Sequence, residues 1–488
     1  MRLSKLIKGI EEGEMIYEGD WDKEIANLYM DSRLPMNNGL FFCLNGTKND
    51  GHLYATEAIR KGAVAVVTEQ KLSLNVPQFL VKNTREALSK ISANYYGNPA
   101  DKLKIIGITG TNGKTTTAHI LASILKSDGK KVGIIGTLGI FYGEKQRRST
   151  LTTPDPILLH GIFAEMLEEG IGYVVMEVSA HALYYEKVAG IQFDVCIFSN
   201  LTQDHLDFFD SMQEYKEAKS RLFQLERCKL AVINGDEETG REFGKDREEE
   251  GGKTVYYGLD TPTDAFAVIT KEDMNGNECI YNVKDRLFQI QLRMIGRHNV
   301  YNALSAVTCA VELGVSEQAI LSGITNLPGV EGRLQRVDTH HGAEIFVDFA
   351  HTPDGLKQSL NTLKTHCKGR LICLFGCGGN RDRSKRPIMG ETVASVCDFA
   401  ILTSDNPRYE DPLDIISEIE KGYRKGSIRY VVVPERKRAI DYGLDYLKEG
   451  DVFLVAGKGG EYYQEIMGIK YPFNDQDIIK KLLEKKGK

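Results

Sequence analysis

Lys104-Ile-Ile-Gly-Ile-Thr-Gly-Thr-Asn-Gly-Lys-Thr-Thr116 decides the fold. A β-branched apolar run ends in a glycine-rich turn, after which Lys114 and Thr115 open a helix. That is the layout of a phosphate-binding loop. Backbone N–H groups of Gly110, Thr111, Asn112 and Gly113 can close on phosphate oxygens, and Lys114 adds a point charge. Thr115 offers a hydroxyl to magnesium, with Thr116 beside it. Ile108 departs from the common pattern, which wants glycine there and finds it instead at Gly107 and Gly110. A turn without function is the bland alternative. Strand, turn, Gly-Lys-Thr and helix start all coincide here, so the chain is expected to bind a nucleoside triphosphate.

Outward from the loop, apolar runs alternate with helical patterns, and each run ends in a polar, chemistry-bearing segment. Tyr173–Met176 leads into Glu177-Val-Ser-Ala-His181, and Val195–Phe198 into Ser-Asn-Leu-Thr-Gln-Asp-His205. Later, Ile345–Val347 leads into Asp348-Phe-Ala-His351 and Leu371–Phe375 into Gly-Cys-Gly-Gly-Asn-Arg381. Ala400–Thr403 leads into Ser-Asp-Asn-Pro-Arg408, and Val452–Ala456 into Gly-Lys-Gly-Gly-Glu461. Buried parallel strands read as continuous apolar runs, and open α/β sheets bind ligands at the carboxyl ends of their strands. Turn-rich breaks near Pro99 and over Leu327–Arg333 divide the chain into residues 1–98, 99–330 and 331–488. The expectation is an α/β chain of three domains. A smaller mixed N-terminal domain precedes a central ATPase-type parallel sheet and a C-terminal, Rossmann-like doubly wound sheet.

Composition narrows the function. The 488 residues are 42% hydrophobic and 27% charged, as in a globular protein, and the net charge of −6 leaves no electrostatic footprint for nucleic acid. The amino terminus lacks the apolar core of a signal peptide, and no run is long enough to span a bilayer. Nine scattered cysteines without a Cys-x-x-Cys pair suit a reduced, cytoplasmic chain; Cys373 and Cys377 read as packing rather than a metal site.

Individual residues then carry the chemistry. Glu177 ends a buried-type strand, where nucleotide triphosphatases place a carboxylate for magnesium. His205 shares a strand-end position with it and suits a metal or phosphate role. Lys216, Lys219 and Arg221 lie on one helical segment and read, on composition, as a solvated basic face. Asn302, early in an alanine-rich helix, can read an adenine edge or simply pack. Asp405-Asn406-Pro407-Arg408 is a compact charged turn that, with Arg381, suits a zwitterionic amino acid.

In this order the pieces resemble the Mur ligases of bacterial cell-wall synthesis, over nearly the whole chain. Thr109–Thr116 is similar to the ATP loop that this superfamily shares with folylpolyglutamate synthases. Narrower likenesses lie at Asp31-Ser-Arg33, Gly46–His52, Thr152-Thr-Pro-Asp155, Glu177–His181, Asp204–Asp207, Asp348–Asp354, Gly376–Asp382 and Asp405–Arg408. They resemble the branch that adds the third amino acid, and within it the meso-diaminopimelate-adding enzymes, since the lysine-adding branch typically lacks that last arginine. The resemblance implies ATP-dependent amide formation through an acyl phosphate, in a monomer with small-molecule substrates and no membrane or nucleic-acid partner. It assigns Ser32, Thr152, Thr153, Ser179 and Lys187 to the UDP-muramoyl dipeptide, and Lys114, Asn302 and Arg333 to ATP. Thr115, Glu177, His205 and Lys219 as a carbamate fall to Mg2+ and catalysis. Arg381, Asp405, Asn406, Pro407, Arg408, Gly457 and Glu461 fall to diaminopimelate. Three positions break the pattern: Ala180 for a second serine, Tyr185 and Lys187 for Gln and Arg, and Gly460 for a histidine.

Overall fold

The computed structural model describes residues 1–46, 49–423 and 428–487. Thr47 and Lys48 of the Gly46–His52 motif, and Lys488 of the charged C-terminal run, lie outside the described residues. By contacts the chain forms two units. The first holds Met1–Gly107, Lys130–Cys196 and Ala218–Leu230; the second holds Ile108–Gly129, Ile197–Glu217 and Ala231–Lys488. The strands Lys104–Thr109, Phe193–Phe198 and Cys228–Asn234 each run from one into the other.

The first unit begins with a five-stranded sheet in the order Glu14–Ile16, Gln78–Leu80, Ala63–Thr68, Gly39–Phe42, Asn27–Tyr29. Its outer pair, Glu14–Ile16 on Gln78–Leu80, is antiparallel and the other pairs are parallel. The helix Thr84–Tyr95, whose N-cap Asn83 accepts from Arg85 and Glu86 N–H, buries Leu88 and Ile91 with Leu40, Phe42 and Val67 of this sheet. Farther on, Tyr173–Glu177 pairs in parallel with Val132–Gly136, which turns back antiparallel into Gly139–Tyr142.

In the second unit the helix Lys114–Ser127 follows the loop. Lys253–Gly258 pairs in parallel with Ala265–Asp273, and two antiparallel strands, Gly276–Val283 and Arg286–Leu292, extend the array. These antiparallel strands add to the parallel sheet expected from the sequence. Arg286–Leu292 alternates exposed and buried side chains, the mark of a strand with one wet face, and so shows no continuous apolar run.

The last block carries a six-stranded sheet in the order Gln335–His340, Ala343–Asp348, Val452–Ala456, Leu371–Phe375, Phe399–Leu402, Arg429–Val432. Only the first pair is antiparallel. Leu356, Leu360, Met389, Val393 and Ile416 cover one face, and Ala439, Ile440, Leu444, Ile479 and Leu483 the other, so the sheet is doubly wound. A hairpin, Tyr463–Ile466 with Ile469–Pro472, stands outside it. The six apolar runs singled out in the sequence fall on strands, Thr403 alone lying one residue past its strand's end, with their polar residues at the carboxyl ends. Among the described residues no helix is long and apolar enough to cross a membrane.

Candidate functional site

In the second unit the phosphate loop is shaped before any ligand arrives. Ser199 Oγ donates to Asn112 O (2.6 Å), Thr111 N–H donates to Asn200 O (2.9 Å), and Asn112 N–H donates to Asn200 Oδ1 (2.9 Å). Gly110 (φ 146°) and Gly113 (φ 88°) are required, since a Cβ would overlap Ser199 Oγ at the first and Asn302 Oδ1 at the second. Gly113 caps the helix without a side chain, so no capping side chain covers the helix start, which suits an anion. Lys114 Nζ donates to Gly110 O (2.8 Å) and Thr111 O (2.9 Å), folding its charge over the loop.

The last block reaches the same loop. Arg333, with its guanidinium 4.3 Å above the Phe349 ring, donates to Thr115 Oγ1 at 2.8 Å, and Asn112 Nδ2 donates to Asp354 Oδ2 at 3.2 Å. Asn302 is buried against Gly113, accepts from Thr117 Oγ1 (3.5 Å) and donates to Asn299 Oδ1 (3.2 Å), so it packs directly on the loop.

His205 sits at φ 57°, left-handed backbone that a histidine adopts at a cost, as residues at functional sites often do. Its Nε2 lies 3.3 Å from Asp204 Oδ2, with His351 Nε2 at 3.8 Å from the same oxygen and Lys385 Nζ at 3.4 Å from Oδ1. Burial opposes ionisation of Asp204, but the neighbouring His351 and the charges of His205 and Lys385 outweigh it and hold the carboxyl well below its usual range. Lys385 gives no sequence signal, because it sits at the start of an otherwise ordinary helix, Lys385–Val396.

At the strand ends of the last block, Arg381 and Arg408 converge: a Cβ at Gly378 would lie 3.0 Å from Arg408 Nη1 and 3.5 Å from Arg381 Cγ. Arg381 also lies 3.5 Å from Asp207. Arg408 holds a left-handed φ of 52° and donates to Gly379 O (2.8 Å). Asp405 is buried; burial opposes its charge, but Lys458, Arg436 and the Asn406 N–H keep its carboxyl below the usual range. Position 457 suits glycine, since its φ of 111° is left-handed and a Cβ would crowd Asp405 Oδ2 at 2.7 Å. Glu461 accepts from Lys458 Nζ (2.8 Å) and Asn406 Nδ2 (3.0 Å). Gly460 lies against Gly332, whose own Cβ would overlap it, so linker backbone approaches this loop closely.

The first unit holds the other group. Glu177, 1% exposed, accepts from Thr137 N–H (2.9 Å) and Thr137 Oγ1 (3.1 Å). The Thr137 hydroxyl meets Thr152 Oγ1 at 3.1 Å. Thr153 Oγ1 donates to Glu177 O (2.9 Å) and accepts from Ser179 N–H (3.1 Å). Thr152, Thr153, Ser179 and Glu177 thus form one network. Thr137, its hub, is absent from the residues expected at the site, although it follows the apolar run Val132–Gly136 as Glu177 follows its own. Ser32 is buried beside the exposed Asp31–Arg33 pair, where hydrogen bonds from Arg33 draw the Asp31 carboxyl down to about 2. Lys187 Nζ pairs with Asp155 at 2.8 Å, while Tyr185 lies under the Arg85 guanidinium at 4.1 Å. Lys219, in the last turn of Met212–Ser220, is only 1% exposed. The solvated-face alternative is therefore wrong for it.

Three family models match the chain: Mur ligase family, catalytic domain, at residues 24–96; Mur ligase middle domain at 108–310; and Mur ligase, glutamate ligase domain, at 332–459. The chain is 41% identical over 490 residues to UDP-N-acetylmuramoyl-L-alanyl-D-glutamate--2,6-diaminopimelate ligase of Caldanaerobacter subterraneus subsp. tengcongensis, covering 100% of each. It is 41% identical over 497 residues to the protein of that name from Syntrophomonas wolfei, again with 100% of each covered. A solved structure of a ligase of the same name superposes with a TM-score of 0.69 at 29% identity, covering 97% of this chain and 98% of that one. MurF ligase from Thermotoga maritima, solved in complex with ADP, shares the fold at TM-score 0.61 and 20% identity, covering 94% of this chain and 97% of its own.

Proposed function

The chain belongs to the Mur ligase family, and from that premise we propose that it joins meso-2,6-diaminopimelate to UDP-N-acetylmuramoyl-L-alanyl-D-glutamate. It is an ATP-dependent acid–amino-acid ligase of peptidoglycan synthesis. The observation that carries the amino-acid half is the convergence of Arg381 and Arg408 on Gly378. The Arg408 guanidinium beside a charged turn, with the Arg381 side chain next to it, suits the far end of diaminopimelate, where a carboxylate stands next to an ammonium. In this reading residues 1–98 take the UDP moiety, 99–330 ATP, and 331–488 the amino acid. The enzyme is cytoplasmic and monomeric, with no nucleic-acid or membrane partner.

The phosphate loop and Lys114 bind the ATP phosphates and offset the charge spread over the transferring γ-phosphoryl group. The D-glutamate γ-carboxylate attacks it, releasing ADP and forming an acyl phosphate. The free amine of diaminopimelate then adds to the carbonyl carbon, and the tetrahedral species expels phosphate to leave the amide. Ser32, Thr152, Thr153, Ser179 and Lys187 hold the muramoyl dipeptide, and the Thr137 network orients Glu177.

Within the first unit, Glu177 and a Lys219 carbamate would offer carboxylate oxygens suited to magnesium; within the second, Thr115 offers a hydroxyl oxygen and His205 a ring nitrogen. When bound, magnesium neutralises phosphate charge. Lys219 is buried, and addition of its neutral amine to CO2, with loss of a proton, would leave a carboxylate-like group there.

The test is phosphate release with ATP, the muramoyl dipeptide and a panel of diamino acids. Release should require both acceptor and amine, and kcat/KM should favour diaminopimelate over L-lysine by ~10⁴, because lysine leaves the arginines unpaired. Lysine within about tenfold, only ~1.4 kcal/mol, would overturn the specificity; release without an amine would overturn the ligase reading.

A further inference from the structure

Three carboxylates surround the Asp405–Arg408 turn, and they are not equivalent. Asp405 is buried, accepts from Asn406 N–H (2.6 Å) and faces Lys458 and Arg436. Glu461 is taken up by Lys458 and Asn406. Glu465, the third, lies 3.3 Å from Arg408 Nε, and both side chains are largely shielded from water.

Glu465 comes from the outlying hairpin, and the hairpin is built onto the turn. Arg408 N–H donates to Glu465 O (3.1 Å), Met467 N–H donates to Arg408 O (2.7 Å), and Glu465 N–H donates to Asn406 Oδ1 (2.9 Å). Gln464 Nε2 donates to Asp405 O at 2.7 Å. Clamped from both sides, Arg408 keeps its left-handed φ of 52°. Its side chain is clamped too, at Nε by Glu465 and at Nη1 by Gly379 O (2.8 Å). Two fixed points set the plane of a guanidinium and leave its remaining N–H donors in one defined direction. Elsewhere the hairpin presents exposed apolar side chains, Ile466, Met467, Ile469 and Tyr471, so its polar bonds to the turn are what hold it.

We propose that Glu465 is a positioning residue: it sets the Arg408 guanidinium to fork onto the far carboxylate of the incoming diamino acid. This rests on the ligase reading above. Glu465 does not touch the reacting atoms, so its removal loosens amino-acid binding and spares chemistry. The contact of the Glu465 side-chain oxygen with Nε is what counts, so an amide oxygen in the same place restores it.

Steady-state kinetics on the full chain tests this with Glu465→Ala and Glu465→Gln. Glu465→Ala should raise KM for diaminopimelate about tenfold, with kcat and the KM values for ATP and the muramoyl dipeptide within about twofold. Glu465→Gln should return KM to within about threefold of the parent. An unchanged KM in Glu465→Ala overturns the proposal, as does a fall in kcat for all substrates with a lowered melting temperature, which marks a purely structural role. Glu465→Gln as weak as Glu465→Ala also overturns it, because charge rather than position would then be at work. Absence of diaminopimelate-dependent phosphate release in the parent protein is a different failure, that of the ligase reading itself.

Discussion

Lys219 shows what a sequence pattern can and cannot say about one residue. Lys216, Lys219 and Arg221 share a helical segment, and spacing alone cannot tell which of three cations turns inward. Lys216 pairs with Glu242 and Arg221 with Glu186 (3.1 Å), as on an ordinary surface, while Lys219 is buried. Its burial depends on what the fold brings over that turn, which no local pattern encodes. Thr137 is illegible for a related reason: a threonine after a strand is common, and only the fold aims it at Glu177. Lys114 and Gly113, by contrast, are plain from spacing, because a phosphate loop is local in sequence. If Lys219 carries a carbamate, Lys219→Ala should release almost no phosphate and be partly rescued by added acetate or formate. Active protein equilibrated with 13C-bicarbonate at neutral pH that shows no carbamate carbonyl signal by 13C NMR would refute the carbamate.

Elements are legible to the degree that they are buried on both faces. Leu371–Phe375 and Val452–Ala456 are fully buried and appear as unbroken apolar runs. Arg286–Leu292 shows no such run, because half its side chains face water. Also hidden is the tie between the helices Lys385–Val396 and Pro412–Tyr423. Arg386 is wholly buried and donates to Glu410 (2.9 Å) and Glu418 (2.8 Å), and its Nη2 also donates to Gly378 O (3.2 Å) beside the two site arginines. The hydrogen bond from Arg386 is the main cause that draws the Glu410 carboxyl from its ordinary 4.5 to about 2, against the smaller effect of burial. The folded state therefore binds fewer protons than the unfolded chain between those values. The stabilisation is complete above about pH 4.5 and is lost as pH falls toward 2. The gap in urea midpoint between the parent protein and Glu410→Gln should be constant above pH 5 and close progressively below 4.5. A gap unchanged at pH 3 would show that Arg386 does not hold Glu410 ionised.

For the whole molecule, sequence breaks and contacts divide the chain differently. The break near Pro99 falls on a short turn, Pro99–Lys102, and the second precedes Gln335–His340, so both mark places where the backbone changes direction. Contacts instead divide the chain within strands: Lys104–Thr109 changes unit after Gly107, Phe193–Phe198 after Cys196, and Cys228–Asn234 after Leu230. A strand cannot unfold over half its length and keep the ladder bonds of the other half in register, so neither unit should unfold alone. Ligand linkage makes this measurable. A non-hydrolysable ATP analogue at about a hundred times its Kd stabilises whatever unfolds together with the phosphate loop by ~2.7 kcal/mol. Native-state hydrogen exchange should therefore show that gain at the slowest amides on both sides of each division, at Phe193–Cys196 as much as at Ile197 and Phe198. Lys114→Ala, which weakens phosphate binding, should abolish it on both sides. A gain confined to Ile197, Phe198 and the helix Lys114–Ser127, with Phe193–Cys196 unmoved, would mean that the units open separately despite the strands they share.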